Sequence, residues 1–221
     1  MENYPMRINK YLALKKISTR RGADELIREQ KVFINGKRAV LGSQVSETDK
    51  VEIKGAKAKE YKYYAYNKPI GVETDSPKAG LFPLGRLDKA SHGLLILTND
   101  GRITDQLLSP KYFHEKEYVV KTKEKLRGSF KDKMEKGVNI EGYKTKPCKV
   151  TIVNDFTFRV ILTEGKKHQI RRMCSALFQE VADLKRERIM NIKLGNLKPK
   201  SLHEITGKEL SIFLDQVLHQ S

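Results

Sequence analysis

The chain has 221 residues, with 44 Lys and Arg against 27 Asp and Glu and a formal net charge of +17. This length suits one large domain and one small one, and such a basic balance indicates nucleic acid as a partner before an acidic membrane surface. No apolar stretch approaches the length of a bilayer span and no signal-peptide core opens the chain, so we expect no membrane partner and a cytoplasmic location. Cys148 and Cys174 lie far apart without metal-ligand spacing. They predict two thiols in a reducing compartment rather than a disulfide framework or a metal site.

Apolar residues recur at helical spacing over residues 8–13 and 23–27, which predicts two short amphipathic helices. Ser18 is the expected N-cap of the second helix. Asn35-Gly36 then separates two short apolar stretches, and this dipeptide favours the type I′ turn of a two-residue hairpin. Val45 and residues 51–53 supply further strand material.

The first sixty residues carry 14 basic and 8 acidic side chains, a net charge of +6, and the remainder carries +11. Basic residues gather near the helix ends and the hairpin. They form either a solvated charged face or a set of phosphate contacts, and the single sign of the surface favours phosphate. The predicted RNA-binding residues are Arg7, Lys10, Arg20, Arg21, Lys37 and Arg38.

Three stretches of this region resemble the S4 RNA-binding module: residues 7–12 (RINKYL), 17–21 (ISTRR) and 32–37 (VFINGK). The resemblance implies a small RNA-binding domain over residues 1–56. The residues that follow are small and charged without apolar periodicity, which predicts a linker at 57–60. A larger domain is then expected over residues 61–221.

The larger domain mixes predicted strands and helices in an order that contains hairpins. Strands are expected at residues 61–66, 94–97, 117–121, 148–153, 156–163 and 189–194. Helices are expected at residues 100–108, 128–136, from about 167, and from 206 to 217. This order predicts an α+β fold with a mixed, mostly antiparallel sheet flanked by helices.

A lone carboxylate, Asp88, lies just before the wholly apolar run at residues 94–97. Arg86 and Lys89 flank it. The residue types alone leave two interpretations open: an Asp that caps a turn, or an acid positioned for covalent or acid–base chemistry.

The helix expected from about residue 167 begins with Lys166, Lys167, His168, Arg171 and Arg172, although a helix N-terminus prefers anions. These cations either extend into solvent or converge with the backbone N–H groups on an anion. That anion would be a phosphate, the carboxylate of Asp88, or both.

Four motifs in order resemble those of RNA pseudouridine synthases, in the branch where an S4 module precedes the catalytic domain. They are residues 67–71 (NKPIG), 85–88 (GRLD), 116–120 (KEYVV) and 168–173 (HQIRRM). The resemblance implies isomerisation of uridine to pseudouridine after the base is flipped out of its stack. This reaction needs no cofactor and no metal, and the chain offers neither a Gly-rich phosphate loop nor a metal cluster.

The resemblance also implies roles for particular residues. Asp88, Tyr118 and Arg171 would be catalytic, with Arg171 pairing with Asp88 and Tyr118 stacking on the uracil. A strand aromatic that faces the core is the other interpretation of Tyr118. We expect Arg171 within about 4 Å of Asp88 and expect Arg172 to face RNA or solvent. The residues expected at the substrate are Arg86, Ile170, Lys116 and Arg172.

The implied substrate is a uridine in large-subunit ribosomal RNA, with a transfer RNA anticodon loop as the alternative. A non-catalytic RNA-binding protein, such as a ribosome-assembly factor, would account for the basic charge but not for the four motifs. A nucleoside or glycoside hydrolase would require paired carboxylates or a metal, and no acidic partner stands beside Asp88 in the sequence. We expect the protein to be a monomer.

Overall fold

A computed structural model of the protein describes residues 4–15, 17–55 and 60–218. The chain divides into a first unit, which runs to Tyr61 and includes Asp100–Ile103, and a second unit of Lys62–Asn99 and the residues from Thr104 onward. The predicted linker at residues 57–60 lies outside the described residues except for Glu60.

The first unit contains two helices, α1 (Ile8–Leu14) and α2 (Arg20–Arg28), as the apolar spacing predicts. Its strands are β1 (Met6–Arg7), β2 (Val32–Ile34), β3 (Lys37–Arg38), β4 (Gln44–Val45) and β5 (Val51–Ile53). They form a β3-β2-β5 sheet and a β1-β4 pair. The apolar faces of both helices meet the strands in one core of Ile8, Leu12, Ala23, Ile27, Val32, Ala39 and Val45.

Two local features of the first unit test the sequence reasoning directly. The hairpin turn is confirmed, since Asn35 and Gly36 both have positive φ, 50° and 78°, as a type I′ turn requires. The N-cap prediction is wrong by one residue. Thr19, rather than Ser18, caps α2, because its Oγ1 accepts a hydrogen bond from the Gly22 N–H at 2.9 Å.

The strands of the second unit are β6 (Tyr63–Lys68), β7 (Phe82–Leu84), β8 (His92–Thr98), β9 (Lys116–Thr122), β10 (Asn139–Ile140), β11 (Tyr143–Lys144), β12 (Lys149–Asn154), β13 (Thr157–Leu162), β14 (Val181–Ile189), β15 (Ile192–Lys193) and β16 (Leu202–Glu204). Its helices are α3 (Thr104–Leu108), α4 (Phe130–Glu135), α5 (Gln169–Ala176) and α6 (Gly207–Leu218). The predicted helix at 100–108 is therefore divided: a 3-10 turn, Gly101–Ile103, precedes α3. No helix in the described ranges is long and apolar enough to cross a membrane.

One large sheet runs in the order β12-β13-β9-β14-β8-β6-β16, with β15 added to β14 and β7 added to β8. Among the described strands of this sheet only β8 and β14 pair in parallel. The predicted α+β class with a mixed, mostly antiparallel sheet is confirmed. Residues 94–97 are completely buried inside β8, as their apolar run predicts.

The strand predicted at residues 189–194 is wrong in its bounds. Residue 189 ends the nine-residue strand β14, a turn follows at Met190 (φ 53°), and the chain returns as β15. The sequence of β14, VADLKRERI, gives little strand signal, because one of its buried positions is Arg186 and residues 185–188, with Asp183 nearby, are charged without an apolar alternation. A central strand of the second unit was therefore missed.

Gly93 fixes the spacing between β8 and β14. Its φ is 104°, and a Cβ at this position would lie 2.3 Å from the carbonyl oxygen of Arg186. Only glycine permits so close an approach of the two backbones. The start of β8, and the loop that carries Asp88 before it, are thereby placed directly against Arg186.

Candidate active site

Asp88 lies in the loop of residues 85–91 that connects β7 to β8. Its side chain is 32% exposed, and its Oδ1 lies 3.2 Å from Nε2 of His168. The carboxylate is therefore within reach of a substrate while being attached to a strand that is buried on both faces. We call residues 85–91 the catalytic loop.

Every backbone carbonyl from residue 86 to residue 91 accepts a hydrogen bond. The donors, in order, are Arg186 Nη1 (3.5 Å), Thr74 Oγ1 (2.6 Å), Ser91 N (2.9 Å), Gly71 N (2.8 Å), Arg171 Nη2 (2.9 Å) and Lys68 Nζ (2.7 Å). We call this set the carbonyl clamp. Five of the six donors lie outside the loop, on β6, α5, β14 and the loop that follows β6.

The carbonyl clamp makes the catalytic loop rigid for a simple reason. A buried carbonyl without a donor costs about 1–3 kcal/mol. The carbonyls of Leu87 and Ser91 belong to buried residues, so another loop conformation that lost their bonds would incur this cost. A side chain that takes part in a reaction must be held close to its productive geometry. The clamp supplies this constraint through the backbone and leaves the carboxylate of Asp88 free.

Two of the clamp donors are cations with almost no solvent exposure. Lys68 is completely buried and Arg186 is 2% exposed. Burial lowers the pKa of Lys68, and the negative charges of Glu73 and Asp88 oppose that shift. The positive charge that accompanies Asp88 therefore lies under the loop as well as at the start of α5.

Tyr118 lies on β9, paired across the sheet with Arg186 on β14. Its half-buried ring packs against the apolar cluster that contains Leu87, the residue before Asp88. It also packs against a second cluster, which contains Ile170. The structure thus places the aromatic ring next to the catalytic loop.

The predicted contact between Arg171 and Asp88 is wrong. Besides its bond to Ala90, Nη2 of Arg171 lies 3.4 Å from Oγ of Ser91, and Nη1 donates to the carbonyl of Val181 at 3.3 Å. Among the described residues Arg171 forms no ion pair with a carboxylate. Its contribution to the site is to the position of the loop backbone.

His168 takes the place that was predicted for Arg171. The helix begins at Gln169 rather than near Lys167, because His168 adopts a left-handed backbone (φ 53°) at the N-cap. This turn directs the imidazole toward Asp88. His168 was one of the cations expected to extend into solvent or to converge on an anion such as the Asp88 carboxylate, but the left-handed turn that brings it there has no signal in the sequence.

The four residues predicted at the substrate occupy different environments. Arg86 is exposed, whereas Ile170 is 5% exposed and belongs to the core. Burial, and next the charge of Arg186, lowers the pKa of Lys116 to about 8. Arg172 was expected to face RNA or solvent. Its guanidinium forms an ion pair with the exposed carboxylate of Glu141.

The described residues contain no group of three or more His, Cys, Asp or Glu side chains arranged to hold a metal. Cys148 and Cys174 are free thiols. Burial raises their pKa to about 11 and about 12, so neither is a reactive thiolate at neutral pH.

The family model of RNA pseudouridylate synthases matches residues 62–176, just over half of the chain, and the S4 domain model matches residues 6–51. The chain belongs to the RNA pseudouridine synthases. It combines their catalytic domain with an S4 domain, so the synthase is an isomerase that acts on RNA, as the four motifs implied.

Several relatives extend over most of the synthase. The dual-specificity RNA pseudouridine synthase RluF of Escherichia coli K12 is 38% identical over 93% of this chain and 77% of the relative. The ribosomal large subunit pseudouridine synthase B of Bacillus subtilis is 35% identical over 92% of this chain and 93% of its own length. A crystal structure of a pseudouridylate synthase superposes with a TM-score of 0.70 at 29% identity, covering 96% of this chain and all of that one.

Thr74 provides a first test of the carbonyl clamp. Its hydroxyl donates to the carbonyl of Leu87 and accepts from the Leu87 N–H at 2.9 Å, which fixes the residue before Asp88 from both sides. Thr74→Val keeps the shape of the side chain and removes both bonds. We expect kcat to fall about tenfold and the free energy of unfolding to fall by about 1–3 kcal/mol. Single-turnover kinetics and urea titration measure these effects. Thr74→Ser should retain both, and an unchanged kcat in Thr74→Val would contradict the clamp.

Proposed function

We propose that Asp88 is the carboxylate that carries out the isomerisation of a flipped-out uridine. The observation that supports this assignment is the carbonyl clamp, which holds the backbone around a solvent-accessible carboxylate in a loop that lies next to Tyr118. In the reaction the N-glycosidic bond breaks, the base turns, and a carbon–carbon bond forms to the same ribose. One positioned carboxylate suffices for covalent catalysis of this kind, whether it attacks the sugar or the base, or first removes a ribose proton.

The other residues support Asp88 in distinct ways. The ring of Tyr118 stacks on the uracil, and the phenolic hydroxyl of Tyr118 lies near the base. Arg171 is a positioning residue, because it holds the carbonyl of Ala90 and not the carboxylate. Arg86 is exposed on the catalytic loop and is placed to fill the space that the flipped base leaves in the RNA.

We propose that the substrate is a uridine in large-subunit ribosomal RNA. The support is the name of the Bacillus subtilis relative, which matches nearly the full length of both chains. RluF is named a dual-specificity RNA pseudouridine synthase, which fits a second kind of RNA substrate. We therefore propose a transfer RNA anticodon loop as the alternative. An enzyme with a ribosomal substrate would act in the cytoplasm. All the residues of the proposed site come from one chain, so we propose a monomer.

Pseudouridine mapping tests this proposal. Transcribed large-subunit ribosomal RNA and a pool of transfer RNA transcripts are incubated separately with the protein. Carbodiimide modification and primer extension then locate pseudouridine. We expect a protein-dependent pseudouridine in the ribosomal transcript. Modification of transfer RNA alone would establish the alternative substrate, and modification of neither would overturn both assignments.

We propose residues 1–56 as an S4 domain that binds RNA through its basic surface. Of the six residues predicted for this role, Arg7, Arg20, Arg21, Lys37 and Arg38 are exposed and Lys10 is half-buried. None of them forms an ion pair within the ranges that the structure describes. Unpaired cations on one small domain are available to displace counterions from phosphate.

Neutralising two of these cations should weaken RNA binding in a salt-dependent way. For Arg20→Ala combined with Arg21→Ala, we expect the slope of log K against log salt to fall by about 1–2. Filter binding to the ribosomal transcript at several salt concentrations gives the slope. Lys50→Ala is the matched control, since the Lys50 ammonium already pairs with Glu52 at 3.0 Å. A slope equal to that of the unchanged protein would count against the proposed RNA surface.

A further inference from the structure

Two exposed aromatic rings of the catalytic unit each carry a lysine ammonium over the ring. Phe113 is 60% exposed, and Nζ of Lys146 lies 3.9 Å from its ring centroid. Tyr143 is 36% exposed, and Nζ of Lys166 lies 4.6 Å from its ring centroid. We call Phe113, Tyr143, Lys146 and Lys166 the aromatic platform. None of its members has a role in the chemistry proposed for Asp88.

The exposure of Phe113 results from an uncommon backbone conformation. The residue follows the 3-10 turn Pro110–Tyr112 with φ 55°, in the left-handed region that bulky side chains rarely adopt. Lys146 reinforces the position, because its ammonium also donates to the carbonyl of Pro110 at 2.9 Å. Strained backbone of this kind concentrates at functional sites. Here it presents a large apolar ring to solvent.

The buried carboxylate of Glu164 holds the platform together and ties it to α5. It accepts hydrogen bonds from the hydroxyl of Tyr143 at 2.5 Å, the N–H of Lys146 at 2.9 Å and Nε2 of Gln169 at 2.8 Å. Gln169 follows His168, whose imidazole contacts Asp88. The platform is therefore anchored one residue from the group that touches the catalytic carboxylate.

The charge around the platform is strongly positive. Exposed lysines lie next to the platform residues in the sequence, and the carboxylate of Glu164 is engaged by three donors and 4% exposed. Two acids lie nearby, but both are paired with cations: Asp105 with Lys111 and Glu141 with Arg172. The exposed lysines are Lys111, Lys144 and Lys167. Exposed aromatic faces among cations match a ligand with flat bases joined by phosphates, which is single-stranded RNA.

We propose that the aromatic platform binds the single-stranded RNA next to the target uridine. Bases stack on Phe113 and Tyr143, and Lys146 and Lys166 contact the neighbouring phosphates. This inference rests on the proposed function of Asp88, because it identifies the platform as the surface that receives the strand from which the uridine is flipped.

Fluorescence anisotropy with labelled oligouridine of about twelve nucleotides, and with a duplex of the same length, tests the platform. We expect Phe113→Leu and Tyr143→Leu each to weaken binding of the single strand about fivefold to a hundredfold, since stacking is lost while apolar volume is kept. Phe113→Trp keeps an aromatic face and should bind as the unchanged protein does. Tyr143→Phe keeps the ring but loses the hydroxyl bond to Glu164, so it should bind more tightly than Tyr143→Leu. Binding of the duplex should change little.

Phe156→Leu is the matched control. Phe156 is exposed at the turn between β12 and β13, whereas Lys146 lies before the start of β12, so the two are separated by a six-residue strand, about 20 Å. Unchanged single-strand affinity in both Leu variants would overturn the platform. Failure of the aromatic variants to restore binding, or an equal loss for the duplex, would overturn it as well.

Measurement of isomerisation separates this inference from the proposed function. If the Leu variants bind the single strand normally and the Asp88→Asn variant does not isomerise uridine, the platform proposal fails and the assignment of Asp88 stands. If Asp88→Asn isomerises normally while the Leu variants lose single-strand affinity, the assignment of Asp88 fails. The strand-binding surface would then exist without its proposed catalytic purpose.

Discussion

Asp88→Asn should reduce isomerisation by at least about a thousandfold. The substitution keeps the volume of the side chain and removes the negative charge that attack or proton abstraction requires. The catalytic loop should remain in place, because the carbonyl clamp acts on backbone carbonyls and does not use the Asp88 carboxylate. Tritium release from labelled uridine in the RNA transcript measures the rate.

Two controls distinguish a catalytic role of Asp88 from a structural one. The first is Asp183→Asn, which removes another carboxylate paired with a histidine, His92 at 3.0 Å, outside the catalytic loop. It should leave the rate within about twofold, as expected for a pair exposed to solvent. The second is the RNA affinity of Asp88→Asn, which should be nearly unchanged. A near-normal rate in Asp88→Asn would remove Asp88 from the chemistry, and a joint loss of affinity and rate would make it a structural residue.

Arg171→Met should lower kcat about a hundredfold, with a smaller effect on KM. The physical reason is the loss of donors: Ala90, Ser91 and Val181 would all lose a hydrogen bond at once. We expect the free energy of unfolding to fall by about 2–4 kcal/mol for the same reason. Arg171→Lys retains one ammonium that can reach one of these acceptors, so it should recover part of kcat.

A substitution of another arginine, outside the clamp, is the control for the effect of Arg171→Met on kcat. Arg127→Met removes an arginine whose guanidinium lies 5.2 Å from the ring of Phe178, and it should leave kcat unchanged. Steady-state kinetics on one RNA transcript and urea titration cover all three variants. A stable Arg171→Met protein with normal kcat would show that the clamp does not need its α5 donor.

Several features of this protein could be predicted from the sequence because they depend on neighbouring residues. The run at residues 94–97 reads as a strand buried on both faces because four apolar residues in succession leave no polar side. Asn35-Gly36 predicts its turn because these two residues tolerate positive φ. Asp88 was identified because its tetrapeptide lies in order with three other motifs behind an S4-like region. The fold class followed from the order of strands, helices and hairpins.

Only the tertiary structure decided how Asp88 is held. The clamp donors Thr74 and Arg186 lie 13 and 100 residues from their acceptors, so their bonds depend on the order of strands in the sheet. That order could not be read from the sequence, since the central strand β14 lacks apolar alternation. The presence of His168 rather than Arg171 at the carboxylate likewise depends on one left-handed residue, His168 with φ 53°, after which α5 begins at Gln169, about two residues later than expected. Local patterns singled out Asp88 as the candidate residue, whereas hydrogen bonds between segments distant in sequence determine how its loop is held.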